Sequence, residues 1–290
     1  MARERWDSRR LVEAFFTAYR NGVVRGLFLS SCLYSDPDTV VEDMLEVVRM
    51  LRSRGFKGYI HVRLMPGVSA YLIREALKLS DRVGLNLEAP SPRLFSEIAP
   101  SKGDWLNDIY VKLAYAARSR RRPVSVDTQL VVGAAGESDR EIIELLGRLK
   151  TIGVDVVHFS PYTPIPWTPL GGKTPPTPRR RVLLLYQAWR LIRDYGYSVA
   201  SIIEALDDNG FLPLDTSDLK ERIAELHPEW YPVDVNNASV EELLRVPGIG
   251  PRTAAKIARI RSQRKLGWSD IVRLLGVRRA RRVLRYLTFS

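Results

Sequence analysis

Residues 246–255 read Val-Pro-Gly-Ile-Gly-Pro-Arg-Thr-Ala-Ala, and this stretch decides how the last part of the chain folds. The two glycines permit a tight turn, and the proline after the second glycine suits the first position of a helix over residues 251–263. Before the turn, Ser239 followed by two glutamates predicts a shorter helix over residues 240–245, because acids are favoured in a first helical turn. The sequence therefore predicts two short helices joined by a glycine turn.

Positive charge is concentrated in the same region. From residue 251 onward there are twelve Lys or Arg and one acid, Asp270, a charge of +11 in a chain of net charge +12. A basic helix start behind a glycine turn is typical of an anion site, and a nucleic-acid backbone is the large anion it best fits. The residues expected to contact phosphate are Gly248, Ile249, Gly250, Arg252, Thr253 and Lys256.

The hairpin and the segment before it, VDVNNASVEEL at residues 233–243, resemble the helix-hairpin-helix family. A second copy of the outline follows at residues 274–280, where Arg278 stands in place of the second glycine. The resemblance implies binding of duplex DNA across a minor groove through phosphates, without reading sequence, and adds Gly276, Arg278 and Arg279 as expected DNA contacts. The alternative is that the hairpin is a protein-interaction or structural module.

The first 165 residues alternate between helical and strand-like segments. The strand-like runs are continuously apolar, as expected for a parallel sheet that is covered on its faces, which predicts a barrel or a doubly wound sheet. The predicted strands are residues 26–31, 58–64, 83–88, 124–132 and 154–160. The predicted helices of this part are residues 8–20, one that begins at Asp36-Pro37 and ends at Gly55, and residues 70–79, 104–119 and 137–150.

Six prolines between residues 164 and 178 mark a boundary, because this composition disfavours both helix and central strand. A helix over residues 179–195 is predicted to follow. We therefore expect an α/β barrel-like domain at residues 1–165, a proline-rich connector with a helical extension at residues 166–232, and a small all-α DNA-binding domain at residues 233–290.

Composition excludes several classes of protein. No stretch reaches the ~18 apolar residues of a membrane span, and residues 1–7 lack the apolar core of a signal peptide, so we expect a cytoplasmic protein. Cys32 is the only cysteine, which excludes an intrachain disulfide and a cysteine-rich zinc site. With three histidines, no metal site is expected, and His61 and His158, both in predicted strands, are interpreted as core histidines with satisfied hydrogen bonds.

Active sites of parallel barrels lie at the carboxyl ends of the strands, so the polar residues there are the candidates. These are Ser30, Ser31, Cys32, Arg63, Asn86, Glu88, Gln129, Gly133, Ser160 and Tyr162. The glycine-rich loop at residues 133–138 leads from a strand into a helix, a pattern more often a tight turn than a ligand site.

Several segments of the chain together resemble a radical SAM family proposed to act in DNA modification or repair. They are LFLSS at 27–31, GYIHVRLMPG at 58–67, NLEAP at 86–90, TQLVVGAAGESDRE at 128–141, and the glycine hairpin. The resemblance implies a six-stranded partial barrel whose first strand leads into a CxxxCxxC loop. That loop holds a 4Fe-4S iron–sulfur cluster, which cleaves S-adenosylmethionine. It also implies a uracil-DNA glycosylase-like protein as a partner.

By the same resemblance, Ser30, Ser31 and Cys32 would contact the methionine amino group of S-adenosylmethionine. Asn86 and Glu88 would face its ribose, and residues from Gln129 through Gly133 would border its adenine. The chain departs from the family in two linked ways, because it has no CxxxCxxC and only five predicted strands. We expect that the first strand and its cluster loop are missing just before Ser8.

Two explanations of this departure remain open. Either the start of the sequence was assigned or engineered too late, or the protein has truly lost the cluster. The polar residues at the barrel mouth favour the first explanation. As written, the chain should not cleave S-adenosylmethionine. The leading interpretation is a radical SAM barrel without its first strand, joined to a DNA-binding module of modification or repair. One alternative is a non-catalytic DNA-binding adaptor. Another is a barrel enzyme that acts on a phosphorylated small molecule through residues 133–138.

Overall fold

The computed structural model describes residues 6–290, and the chain divides into two compact units. The first unit comprises the chain up to Glu137 together with Leu149–Thr177. The second comprises Ser138–Arg148 and Pro178–Ser290. The break at Thr177 falls inside the proline-rich stretch that marked a boundary in the sequence. The further division at residue 232 stays a prediction.

The helices and strands follow the predicted order closely. The strands are β1 Gly26–Leu29, β2 Tyr59–Arg63, β3 Arg82–Gly84, β4 Ser125–Val132, β5 Val156–Pro161, β6 Val233–Asp234 and β7 Leu287–Thr288. The helices up to the proline-rich stretch are α1 Ser8–Arg20, α2 Pro37–Ser53, α3 Ala70–Leu79, α4 Pro92–Ile98, α5 Val111–Ser119 and α6 Asp139–Ile152. The later helices are α7 Arg179–Asp194, α8 Val199–Ile203, α9 Leu219–Leu226, α10 Val240–Arg245, α11 Pro251–Arg261, α12 Trp268–Leu275 and α13 Val277–Leu284.

The first unit is built on a curled parallel sheet, a half-barrel with the strand order β1-β2-β3-β4-β5. All five predicted strands form, and the carboxyl ends of parallel strands meet at one edge of the sheet. Strand β3 is shorter than predicted, because Glu88 adopts a φ of 62° and returns to the sheet only through a bridge to Leu130. The polar residues that follow β1, β3 and β4 therefore share the edge where the sequence placed the candidate site.

Aspartates cap the N-termini of α1 and α2, and the cap of α2 is the one that the sequence predicted. The carboxylate of Asp36 accepts the N–H of Thr39 at 3.0 Å ahead of α2, and that of Asp7 accepts the N–H of Arg10 at 2.8 Å ahead of α1. The predicted helix over residues 104–119 starts instead with a π-helical segment, Trp105–Tyr110, before α5. Short 3₁₀ turns occur at Pro100–Lys102 and Pro228–Trp230.

Helix α6 contributes to both units, whereas the sequence predicted it within the first domain. The buried carboxylate of Asp139 explains why its first turns belong with the second unit. It accepts Nε of Arg181 at 2.7 Å and the backbone N–H of Leu212 at 2.9 Å. Breaking this arrangement would leave a buried charge without a partner, which is costly.

The end of the second unit has its own apolar core, made of residues from α10 to α13 such as Leu243, Ile257 and Val283. The prediction of an all-α domain is corrected here, because β6 and β7 pair in parallel. Val233 N–H donates to the carbonyl of Tyr286 at 2.8 Å, and Val235 N–H to that of Thr288 at 3.0 Å. The chain end thus returns to the segment before α10, satisfying backbone groups that two isolated ends would leave unpaired.

Candidate nucleic-acid interface

The predicted glycine hairpin joins α10 to α11. Ser239 caps α10 by accepting the N–H of Glu242, whose carboxylate in turn accepts the N–H of Ser239 at 2.6 Å. In the turn, Gly248 has a φ of 88°, a region that glycine enters without a steric cost. A Cβ at Gly248 would also lie 2.7 Å from Cγ2 of Val283, so both conformation and packing require glycine here.

Several carbonyls at this hairpin accept hydrogen bonds from within the protein. Arg245 O accepts the hydroxyls of Tyr231 at 2.8 Å and Tyr197 at 3.2 Å. Burial raises the pKa of both tyrosines, so these hydroxyls keep their protons and remain donors. Val246 O accepts the N–H of Ile249 at 3.0 Å.

The carbonyls of Ile249 and Gly250 are satisfied as well, whereas those of Pro247 and Gly248 accept no hydrogen bond from the described residues. Ile249 O accepts Nζ of Lys220 at 2.6 Å, and Gly250 O accepts the N–H groups of Thr253 and Ala254, both at 2.9 Å. Three of the turn's carbonyls, those of Val246, Ile249 and Gly250, are therefore engaged by donors of the protein itself.

Three N–H groups at the turn, in contrast, have no partner within the described residues. Within residues 6–290, the N–H groups of Gly248, Gly250 and Arg252 donate to no protein acceptor, and the two prolines of the turn have none to donate. The N-terminus of α11 adds its positive dipole end. Unsatisfied amides at a helix N-terminus form a ready-made anion site. Among the predicted contacts, Gly248, Gly250 and Arg252 therefore have amides open to an anion, whereas Ile249 supplies packing, being buried with its N–H already used.

These amides line a cleft of about 1040 Å³ within the second unit. One wall is the hairpin with Thr253, and the other comes from α7, including Gln187 and Arg190. Arg279 of α13 also lines the cleft, and its Cγ lies 3.8 Å from the position a Cβ would take on Gly248. The cleft therefore brings side chains from distant segments next to the predicted phosphate contacts.

The positive charge is divided between paired and unpaired side chains. Arg282 and Arg285 form ion pairs with Glu221, and Arg264 forms a two-pronged pair with Asp270 at 2.6 and 2.9 Å. Seven side chains of the basic segment form no hydrogen bond or ion pair with residues 6–290: Arg252, Lys256, Arg259, Lys265, Arg278, Arg279 and Arg281. These seven, including the predicted contacts Arg252, Lys256, Arg278 and Arg279, are available to an external anion.

The second predicted hairpin is reduced to one residue. Gly276, with a φ of 77°, joins α12 directly to α13, and its N–H donates to the carbonyl of Val272 at 2.8 Å. Arg278 and Arg279 lie exposed in the first turn of α13. Gly276 therefore does not present its amide to a phosphate, in contrast to its predicted role, and the two arginines contribute charge alone.

The predicted cofactor residues of the half-barrel fall into two groups. Ser30, Ser31 and Cys32 follow β1, the edge strand, and the Ser31 hydroxyl donates to the carbonyl of Cys32 at 3.1 Å. Two strands separate β1 from β4, where Gln129 lies. Glu88 is close to Gln129, since its N–H donates to the Gln129 carbonyl at 2.9 Å. The contacts join Glu88 to Gln129 but not to the β1 group.

Two buried polar groups of this predicted site differ in whether they have a partner. The buried carboxylate of Glu88 pairs with Nζ of Lys102 at 2.6 Å. Asn86, which follows β3, buries its Oδ1 without a hydrogen-bond donor among the described residues. Asn86 is therefore the predicted cofactor residue with a buried polar atom that lacks a partner, and its role at a cofactor stays a prediction.

The glycine-rich loop after β4 is closed by a side chain of its own. The buried carboxylate of Glu137 accepts the N–H of Gly133 and the N–H of Ala135, the latter at 3.3 Å. A phosphate would have to displace this carboxylate to reach the same amides. The structure therefore gives the loop, including the predicted residue Gly133, the form of a self-capped turn.

Sequence reasoning missed a buried charge in the half-barrel. Asp127 of β4 is fully buried and accepts Nε2 of His61 at 3.1 Å, Nε2 of His158 at 3.0 Å and a guanidinium nitrogen of Arg63 at 3.2 Å. Gly84 of β3 makes room between them, because a Cβ there would overlap the Asp127 carboxylate. The interpretation of both histidines as satisfied strand residues agrees with these hydrogen bonds.

The charge state of Asp127 follows from its partners. Burial alone would raise its pKa, but the hydrogen bonds from His158 and His61 and the charge of Arg63 hold that pKa well below its usual range. Burial also lowers the pKa of Arg63. An Asp in the middle of an otherwise apolar strand, two residues before Gln129, was the sequence signal for this cluster.

The residues present do not fit an iron–sulfur cluster. Cys32 is the single cysteine of residues 1–290 and is exposed, whereas such clusters are held by several thiolates. Among residues 6–290, no group of three or more His, Cys, Asp or Glu side chains is arranged to hold a metal ion. We derive no chemical step through the cluster.

A family model described as a helix-hairpin-helix motif matches residues 229–279. No curated protein sequence matches the chain. In the part of the chain that the structure describes, no helix is long and apolar enough to cross a membrane. The matched segment contains the glycine hairpin, its free amides and most of the basic side chains, and a motif of this kind indicates nucleic-acid binding.

Proposed function

We propose that this chain binds DNA through backbone phosphates at the hairpin between α10 and α11, without reading base sequence. The observation that carries the proposal is the division of the turn's backbone groups. Three N–H groups at the turn are left for an anion, while the carbonyls of Val246, Ile249 and Gly250 are satisfied internally. The match to a helix-hairpin-helix motif supports a nucleic acid as the source of that anion.

The surrounding charge fits a polyanion better than a small ion. Arg252 and Lys256 lie on the helix that begins at the turn, and Arg279 reaches the same cleft from α13. Charge-assisted hydrogen bonds from such side chains add to those from the amides. Because these groups contact phosphate and not base edges, they position a strand but carry no sequence information.

For the biological role, we propose DNA modification or repair. The support is the resemblance of the half-barrel segments to the radical SAM family, together with the parallel five-stranded sheet. That resemblance also supplies S-adenosylmethionine as the proposed cofactor and a uracil-DNA glycosylase-like protein as the proposed partner. DNA binding by the hairpin requires none of these.

The second candidate is a DNA-binding adaptor without catalysis. It is favoured by the single cysteine, which leaves residues 1–290 unable to hold the cluster. Translation of the coding DNA upstream of Met1 separates the two candidates. An in-frame CxxxCxxC after an apolar run supports the enzyme, and an immediate stop codon supports the adaptor.

The test of DNA binding is the salt dependence of the affinity for duplexes of unrelated sequence. Four or five phosphate contacts give a slope of about −4 in a plot of log affinity against log salt concentration. The double variant Arg252→Ala/Lys256→Ala should reduce that slope by about 2, since each phosphate-contacting cation contributes about 1. Lys57→Ala, an exposed lysine of the first unit, is the matched control and should leave the slope unchanged. An affinity independent of salt contradicts the proposal.

A further inference from the structure

Lys220 of α9 lies directly behind the hairpin. Its side chain is buried, with 6% of the residue exposed, and its Nζ donates to the carbonyl of Ile249 at 2.6 Å. The same ammonium lies 4.7 Å from the centroid of the Tyr195 ring. Ile249 stands between Gly248 and Gly250, so this hydrogen bond holds the segment that carries two of the open amides.

A buried cation is energetically unfavourable at this position. Burying an ammonium costs free energy unless a carboxylate pairs with it, and within residues 6–290 Lys220 forms no salt bridge. Burial lowers its pKa to about 7, opposed by the charge of Asp218. A neutral hydroxyl or amide could have satisfied the Ile249 carbonyl, so the charge itself requires an explanation.

The charged groups around Lys220 do not supply one. Asp218 precedes α9 and uses its carboxylate to accept the backbone N–H of Lys220 at 3.0 Å. Helix α7 presents Arg190 and Asp194 to the cleft, and Arg252 and Arg279 line it from α11 and α13. Three cations besides Lys220 therefore face two acids, which leaves the cleft net positive. A phosphate on the hairpin amides would be the missing counter-charge.

We propose that Lys220 is a positioning residue of the hairpin and that its ammonium is the internal counter-charge of the bound DNA phosphate, so that binding takes up a proton at this side chain. The inference rests on the proposed DNA-binding function. The proton comes from solvent and adds to the Nζ lone pair, and no other bond is made or broken.

The direction of the pH effect follows from linkage. A nearby phosphate favours the charged ammonium and so raises the pKa of Lys220 above its value of about 7 in the free protein. The affinity for DNA is then greatest below about pH 7. It falls as the pH rises from there to the pKa that Lys220 has in the complex. Each unit by which DNA raises this pKa adds a factor of about ten to the total loss of affinity.

The experiment compares duplex affinities at about pH 6 and about pH 9, at constant salt, for the full chain and three variants. We expect the wild type to lose about three- to tenfold in affinity over this interval. Lys220→Met, which has similar length and no charge, should bind more weakly at the lower pH and lose this dependence. Lys220→Arg, which keeps its charge throughout, should also be independent of pH and retain more affinity. Lys256→Met, at an exposed lysine, is the matched control and should weaken binding equally at both values.

The outcomes separate this inference from the proposed function. If the wild type binds with equal affinity at both pH values, or if Lys220→Met retains the wild-type pH dependence, the inference fails while DNA binding stands. If the wild type does not bind at all, the proposed function fails. Should Lys220→Met not fold, the Lys220 ammonium is titrated by NMR in the wild type with and without DNA. A pKa raised by DNA supports the inference, and an unchanged pKa overturns it.

Discussion

The two turns near the end of the second unit differ in how they use backbone amides. Between α10 and α11, a turn with two glycines leaves the N–H groups of Gly248 and Gly250 without protein acceptors. Between α12 and α13, the single residue Gly276 gives its N–H to the carbonyl of Val272. Both turns are followed by a basic helix, so charge does not distinguish them. The difference teaches that an anion site here depends on turn length, because only the longer turn frees amides.

The largest expected effect compares Gly248→Ala with Gly276→Ala. Both glycines have positive φ, which costs an alanine about 1 kcal/mol. Only at Gly248 does the added Cβ also meet a core side chain, Val283, at 2.7 Å, whereas Gly276 has open space. We expect a loss in the free energy of unfolding of about 3 kcal/mol for Gly248→Ala and about 1 kcal/mol for Gly276→Ala. Urea denaturation measures both. Equal losses would show that the contact with Val283 adds nothing to the cost at Gly248.

The next effect compares Arg279→Ala with Arg278→Ala, two exposed neighbours on α13. Arg279 lines the cleft beside Gly248, while Arg278 lies next to the turn whose amide is already used. We expect DNA affinity to fall about tenfold for Arg279→Ala and about threefold for Arg278→Ala, since both remove one charge but only one lies at the amides. Fluorescence anisotropy at one salt concentration measures this. A larger loss for Arg278→Ala would show that the second turn holds phosphate after all.

The smallest effect concerns the acids that cap the helices before each turn. Hydrogen bonds from Arg264 and the Gly267 backbone hold the pKa of Asp270 well below its usual range. Backbone and side-chain hydrogen bonds from Ser239 lower that of Glu242. An acid whose pKa is lower in the folded than in the unfolded protein stabilises the fold at pH values above its unfolded pKa. This stabilisation is lost as the pH falls through the folded pKa.

We therefore expect Asp270→Asn to lower the Tm at pH 7 by a few degrees. The decrease should be larger than that for Glu242→Gln, because Asp270→Asn also removes the ion pair with Arg264. The deficit should shrink as the pH falls below about 4, because the unfolded wild type then binds a proton at Asp270 that the folded protein takes up only at lower pH. Calorimetry across this pH range measures it. A deficit that does not change with pH would mean that the charge of Asp270 is unimportant to α12.

The local patterns of the sequence predicted much of this fold. Continuous apolar runs gave all five strands, and Asp36 with Pro37 gave the start of α2, because strand burial and helix caps depend on residues close together in the chain. Helices α4, α8 and α9 were not predicted, since they are short and lie among turn residues. The pairing of β6 with β7 was missed because it joins segments over fifty residues apart.

The site was predictable only in part. Glycines, prolines and charge identified the hairpin, and the matched motif agrees with it. Glu137 closing the loop at Gly133 could have been suspected from its spacing of four residues. The cluster around Asp127 joins three strands and depends on the missing side chain of Gly84, which no local pattern reveals.

The sequence by itself determined the glycine turn, the basic helix behind it and the parallel strands, because backbone preference and hydrophobic pattern act over a few residues. Only the tertiary structure decided which backbone groups of that turn remain open. Lys220 donates to the carbonyl of Ile249 and Tyr231 to that of Arg245, both from outside the turn, and Arg279 lines the same cleft from a later helix. Hydrogen bonds between distant residues depend on how the helices pack, and that packing converts a common turn into a candidate phosphate site.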